Sequence, residues 1–171
     1  MEQYRLSKYN PEYKGIYNNE WTSYSDIGKS YNGEKFTKRC YLEMEKKYCD
    51  AIITILSAQQ TRYIKIRELE TPFSSEEIAE FFFSKNLRLT DKEKEIIESI
   101  DENQIILIDD IEEYLKLLLR ECFWCVLLDP EHKIHVDIGY DYYVHLACNY
   151  IDPDIICCLK NQGINIEKLT E

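Results

Sequence analysis

Cys122-x-x-Cys125 and His132-x-x-His135 fall in one short span and have the residue types and spacing of a metal site. Structural zinc sites use such pairs on knuckle turns rich in Gly and basic residues, where positions i and i+3 can converge on one ion. Here the cysteines lie in Cys-Phe-Trp-Cys-Val-Leu-Leu, which reads as a strand and sends the two thiols to opposite faces. No metal and no cofactor are expected.

Nucleophilic chemistry needs a thiolate or an activated hydroxyl. A reactive cysteine requires an exposed, electropositive setting, and every cysteine except Cys40 and Cys49 sits in an apolar run, including Cys157 and Cys158 in Ile-Ile-Cys-Cys-Leu. There is no Gly-x-Ser-x-Gly elbow and no phosphate-binding loop, and five glycines equip the chain poorly for either. Asp137 and Asp141 could pair as general acid and base, which keeps a small hydrolase as an alternative. The first expectation is that the chain is not an enzyme.

Charge directs the reading instead. Residues 1–67 hold 12 Lys/Arg and 8 Asp/Glu, whereas 68–171 hold 9 and 24, so the two parts carry net +4 and net −15 within a total of −11. A polyanion needs clustered Lys/Arg, so nucleic acid is not expected even though 14 Tyr and two Trp could stack on bases. Acids together with Tyr and Trp fit a basic protein partner, since rigid rings bury much area at low entropy cost. The candidate contacts are the Asp109, Asp110, Glu112, Glu113 cluster and the acids of the strand from Asp137 to Asp141. The plain alternative is an acidic surface that serves solubility.

The elements that must position these residues follow from periodicity. At 171 residues, with 44% apolar and 31% charged residues, one domain over 1–171 is expected. No uncharged run is long enough to cross a bilayer, and Met1-Glu2-Gln3-Tyr4-Arg5 lacks the basic and then apolar order of a signal peptide, so a cytoplasmic protein with seven free cysteines is expected. Gln3 to Lys8 alternates as a strand. Residues 9–35 read as a long aromatic-rich surface loop, whose rings (Tyr9, Tyr13, Tyr17, Trp21, Tyr24, Tyr31) should pack it on the body.

A helix starts at Thr37, with Tyr41, Met44, Tyr48, Ile52 and Ile55 as its apolar stripe and Glu43, Glu45, Lys46, Lys47 and Asp50 facing solvent. Tyr63 to Arg67 alternates as a strand. Capping boxes mark three more helix starts, Ser74 with Glu77, Thr90 with Glu93 and Asp109 with Glu112; the last helix turns Ile111, Tyr114, Leu115 and Leu118 inward and leaves Arg120 to solvent. Ile105 to Ile108 is either a short buried strand or a helix connection. Strands at Phe123 to Leu128 and Lys133 to Ile138 should form a hairpin, Gly139 marks a turn or bulge before a strand at Tyr142 to Leu146, and a final helix runs from Asp152-Pro153 to Gly163. The expected fold is α+β, a mostly antiparallel sheet with helices packed on one face.

Tyr4-Arg5-x-x-Lys8-Tyr9-Asn10-Pro11, Glu20-Trp21-Thr22-Ser23-x-Ser25-Asp26-Ile27-Gly28, and Trp124-Cys125 with His135-Val136-Asp137-Ile138-Gly139-Tyr140-Asp141-Tyr142-Tyr143 resemble a family of small, acidic, uncharacterised bacterial proteins similar to the immunity proteins of contact-dependent and other polymorphic toxin systems. The resemblance implies a protein that binds a basic, nuclease-like toxin and occludes its active site. Trp21, Tyr24, Tyr140 and Tyr143 would then be the aromatic anchors and Asp26, Asp137 and Asp141 charged contacts. A structural or regulatory interaction module is a further alternative. Residues 20–28 have a local reading too, as side-chain to backbone bonds that pin the loop.

Overall fold

The computed structural model describes residues 1–11 and 19–170. The elements are β1 (Glu2–Ser7), β2 (Ser30–Tyr31), β3 (Glu34–Lys35), α1 (Lys38–Ala58), β4 (Tyr63–Glu70), α2 (Ser75–Phe83), α3 (Asp91–Ser99), β5 (Ile105–Leu107), α4 (Ile111–Leu119), β6 (Trp124–Asp129), β7 (Ile134–Ile138), β8 (Val144–Cys148), α5 (Pro153–Asn161) and β9 (Asn165–Leu169). Seven strands form one antiparallel sheet in the order β5-β4-β6-β7-β8-β1-β9. The α+β expectation holds, and β6 and β7 form the expected hairpin.

Alternation decides which face of the sheet is covered. Ile134, Val136 and Ile138 of β7 and Val144, Leu146 and Cys148 of β8 are buried, whereas His135, Asp137 and His145 are exposed. The buried face meets the apolar side of α1 and all but the charged positions of α4, so the helices lie on one side and the other stays open. The α1 stripe is as periodicity requires, with Tyr41, Tyr48, Ile52 and Ile55 fully buried.

Two charges assigned to solvent are in fact internal. Glu45 and Arg120 are 2% and 7% exposed, and the Arg120 guanidinium spans two carboxylates: Nε and Nη2 donate to Glu45 at 2.7 and 2.6 Å, and Nη1 donates to Glu93 at 3.0 Å. Such a group survives burial only because each charge is paired and hydrogen-bonded. Glu93 also closes the Thr90 capping box, so it ties the start of α3 to the end of α4.

Three further expectations are corrected. Asp109 and Asp110 lie in a 3-10 turn, and Asp110 enters α4 with helical backbone and no side-chain cap bond, so the Asp109–Glu112 box does not form. Cys157 and Cys158 are exposed on α5, whose Leu159 is the residue turned inward. The loop also contains structure: a 3-10 turn at Tyr24–Asp26 and the β2–β3 hairpin, turned by Asn32 (φ 51°) and Gly33 (φ 83°). Tyr13 and Tyr17 lie outside the described residues.

Candidate functional site

The residues expected from type to form a site lie in four places. Trp21 and Asp26 hold the loop. Trp21 stacks on Phe36 at 4.4 Å and meets Tyr41 and Tyr142 edge to face, while the Asp26 carboxylate accepts from the Thr22 amide at 2.9 Å and from Lys29 Nζ at 2.7 Å. The bonds from Lys29 and Thr22 keep the Asp26 carboxyl below its ordinary range although burial opposes them. The chain thus uses these two residues in its own packing.

The acidic cluster sits at the start of α4 and is largely paired. Lys92 lies 3.5 Å from both Asp110 and Glu113, and Lys116 is 2.7 Å from Glu112. Glu112 and Lys116 also edge a depression of about 660 Å³ over the Glu45–Arg120–Glu93 group, rimmed by Lys38, Lys46 and Arg88. Lys46 is taken by Asp50 outside the depression, and Lys38 donates to the Asn86 carbonyl on its rim.

Asp137 projects from the open face of β7 opposite His145, with His135 beside it on the same strand. Asp141 lies beyond the end of β7 at the turn, so the two carboxylates occupy a strand face and a turn tip. Among the described residues no three His, Cys, Asp or Glu side chains are placed to hold a metal ion.

Tyr24 and Tyr140, by contrast, are brought together. They line one groove of about 380 Å³ with Phe73, Ile78, Phe81, Phe82, Arg120, Glu121, Cys122 and Trp124. It lies where α4 ends, β6 begins and β7 gives way to its turn, flanked by α2. Its rings contact one another: Trp124 and Tyr140 at 5.8 Å, Phe73 and Phe81 at 5.3 Å, Tyr24 and Phe82 at 5.2 Å. Tyr140 and Phe81 are 68% and 44% exposed, so large rings face solvent at the rim. Burial pushes the Tyr24 hydroxyl up to about 12.

The turn that carries Tyr140 is held rigidly. Asp141 and Tyr142 both have left-handed backbone, at φ 63° and 61°. Such geometry at non-Gly residues costs about 1–3 kcal/mol each and persists only where surrounding bonds enforce it. The enforcing bonds come from the core: Tyr48 donates to the Tyr142 carbonyl at 2.7 Å, Tyr9 donates to the Asp141 carbonyl at 2.9 Å, and the Gly139 amide donates to the Tyr143 carbonyl at 2.9 Å. Tyr143 itself packs on Tyr9, with the Arg5 guanidinium 5.0 Å over its ring.

Glu121 is the groove residue that type and spacing did not single out. It ends α4 in left-handed backbone (φ 57°), with its amide donating to the Leu118 carbonyl and the Cys122 amide to that of Leu117. This is the helix stop that glycine usually makes. Its side chain is half-buried, takes a hydrogen bond from Ser23, and has no cationic ion-pair partner among the described residues. Burial first, and the nearby Asp141 and Asp26 charges next, raise its pKa. The adjacent Arg120 does not neutralise it, being already shared by two carboxylates. Burial pushes the Cys122 thiol up as well, away from nucleophilic use. The groove thus offers aromatic walls and one uncompensated carboxylate, a geometry for holding an apolar or cationic group. Comparison of the chain with protein-family models, curated proteins and solved structures finds no match.

Proposed function

We propose that this chain is a protein-binding inhibitor of the immunity type, which captures a basic, nuclease-like protein toxin and occludes its active site. The observation that carries the reading is the convergence of Tyr24, Trp124 and Tyr140 around the half-buried Glu121 in one groove with exposed rings at its rim. Binding hot spots are aromatic anchors in such settings, and a net charge of −11 would speed encounter with a basic partner. Turn geometry supports the reading too, because a ring fixed before binding loses less entropy on binding.

An immunity protein is normally encoded beside its target, so the test is co-purification of the tagged chain with the product of the adjacent reading frame. The expected result is a one-to-one complex that weakens with salt and weakens about tenfold or more in Tyr140→Ala. No complex, or one indifferent to both, contradicts the proposal and favours the regulatory module.

A further inference from the structure

We propose that the groove is a receptor for an arginine side chain of the partner, whose guanidinium lies against the Trp124 and Tyr140 rings and pairs with the Glu121 carboxylate; this rests on the protein-binding reading above. Glu121 lines the aromatic groove half-buried, with a hydrogen bond from Ser23 but no counter-charge, and an incoming cation supplies what the fold does not. The rings add attraction for the same ligand, since a cation over an aromatic face is stabilised most when water is excluded.

The local field agrees. Arg120 lines the groove, but its charge is exceeded by those of Glu45 and Glu93, so the buried group is net negative behind Glu121, and Asp141 adds a further negative charge. A cation over a ring and paired with a carboxylate already occurs inside the molecule, at Arg5 with Tyr143 and Glu167, at Arg120 with Phe82 and Glu45, and at Lys8. Lys8 Nζ lies 3.9 Å from the Tyr9 ring centroid and 4.4 Å from that of Trp21, with Glu20 at 3.1 Å. In the groove Arg120 lies over the Phe82 ring at 5.7 Å, whereas Trp124, Tyr140 and Glu121 have no cation of their own among the described residues, so theirs must come from outside.

Arginine fits better than lysine. Its flat guanidinium stacks on rings, sheds water more readily than an ammonium, and meets a carboxylate with two parallel bonds. Trp124 and Tyr140 are in contact at 5.8 Å, which leaves no slot between them, so the guanidinium lies over the corner they make rather than intercalating.

The test is titration of the intact chain with Nα-acetyl-arginine amide, followed by the indole N–H signals of Trp21 and Trp124 in a ¹⁵N NMR spectrum. The expected result is a saturable shift of the Trp124 signal with Trp21 unmoved, weakened about tenfold in Glu121→Gln and absent with the uncharged citrulline analogue. Equal binding of citrulline, equal binding by Glu121→Gln, or tighter binding of the lysine analogue overturns the proposal. The same variants in the partner complex separate the two claims. If the probe fails and Tyr140→Ala weakens the complex while Glu121→Gln does not, the arginine receptor falls and the binding groove stands; if neither variant weakens it, both fall.

Discussion

Glu121 combines two features that disfavour it locally, a left-handed backbone and a half-buried, unpaired carboxylate. The stability consequence has a definite sign. A carboxyl whose pKa is raised by folding contributes fully below its unfolded value, near 4.3, and loses that contribution as pH rises through the folded value. Glu121→Gln therefore should raise Tm at pH 7, with the gain vanishing below about pH 4, which thermal melts across that range would show. A variant that is more stable yet binds worse marks a residue kept for function. Little of this was legible in sequence. Tyr24 and Tyr140 stand out by type, but Glu121 reads as one more acid after a helix, and Glu45 and Arg120 read as solvent-facing. Periodicity within one helix cannot register a partner 75 residues away.

Among elements, the turn between β7 and β8 matters most, because three core tyrosines hold it. Tyr48 accepts from the Lys8 amide at 2.6 Å while donating to the Tyr142 carbonyl, and the Tyr142 hydroxyl donates to that of Tyr41 at 2.6 Å. Tyr48→Phe removes the bonds to the half-buried Lys8 amide and the buried Tyr142 carbonyl. The expected cost is about 2 kcal/mol, a Tm lower by roughly 4–8 °C, with partner affinity reduced because Tyr140 loses its fixed aim. Most elements were readable: α1, the Ser74 and Thr90 boxes, the β6–β7 hairpin and the Asp152-Pro153 start all rest on local patterns. The misses have physical causes. β9 is held by pairing with β1, a partner at the other end of the chain, and β5 exposes Ile105 and Leu107 because they alternate with the buried Ile106 and fall on the uncovered face of the sheet. The Asn32-Gly33 turn, however, is a local pattern that marks the β2–β3 hairpin.

At the scale of the molecule, the charge division along the chain does not become a division in space. β1, from the basic part, lies between β8 and β9 of the acidic part, and Arg5 pairs with Glu167 across that seam at 2.7 Å. The cluster at 109–113 is also removed from the groove, since α4 separates the two by roughly 15 Å at 1.5 Å per residue. On the proposed reading, net charge serves long-range attraction and the groove supplies the contact. Among the described residues no helix is long and apolar enough to cross a membrane. The most direct test of a binding groove at the end of α4 is hydrogen–deuterium exchange of the chain, free and in complex with the product of the adjacent reading frame. Protection at residues 73–82, 121–124 and 139–143 is the predicted result. Protection confined to the open face of β7 and β8, or to the depression over Arg120, would contradict it.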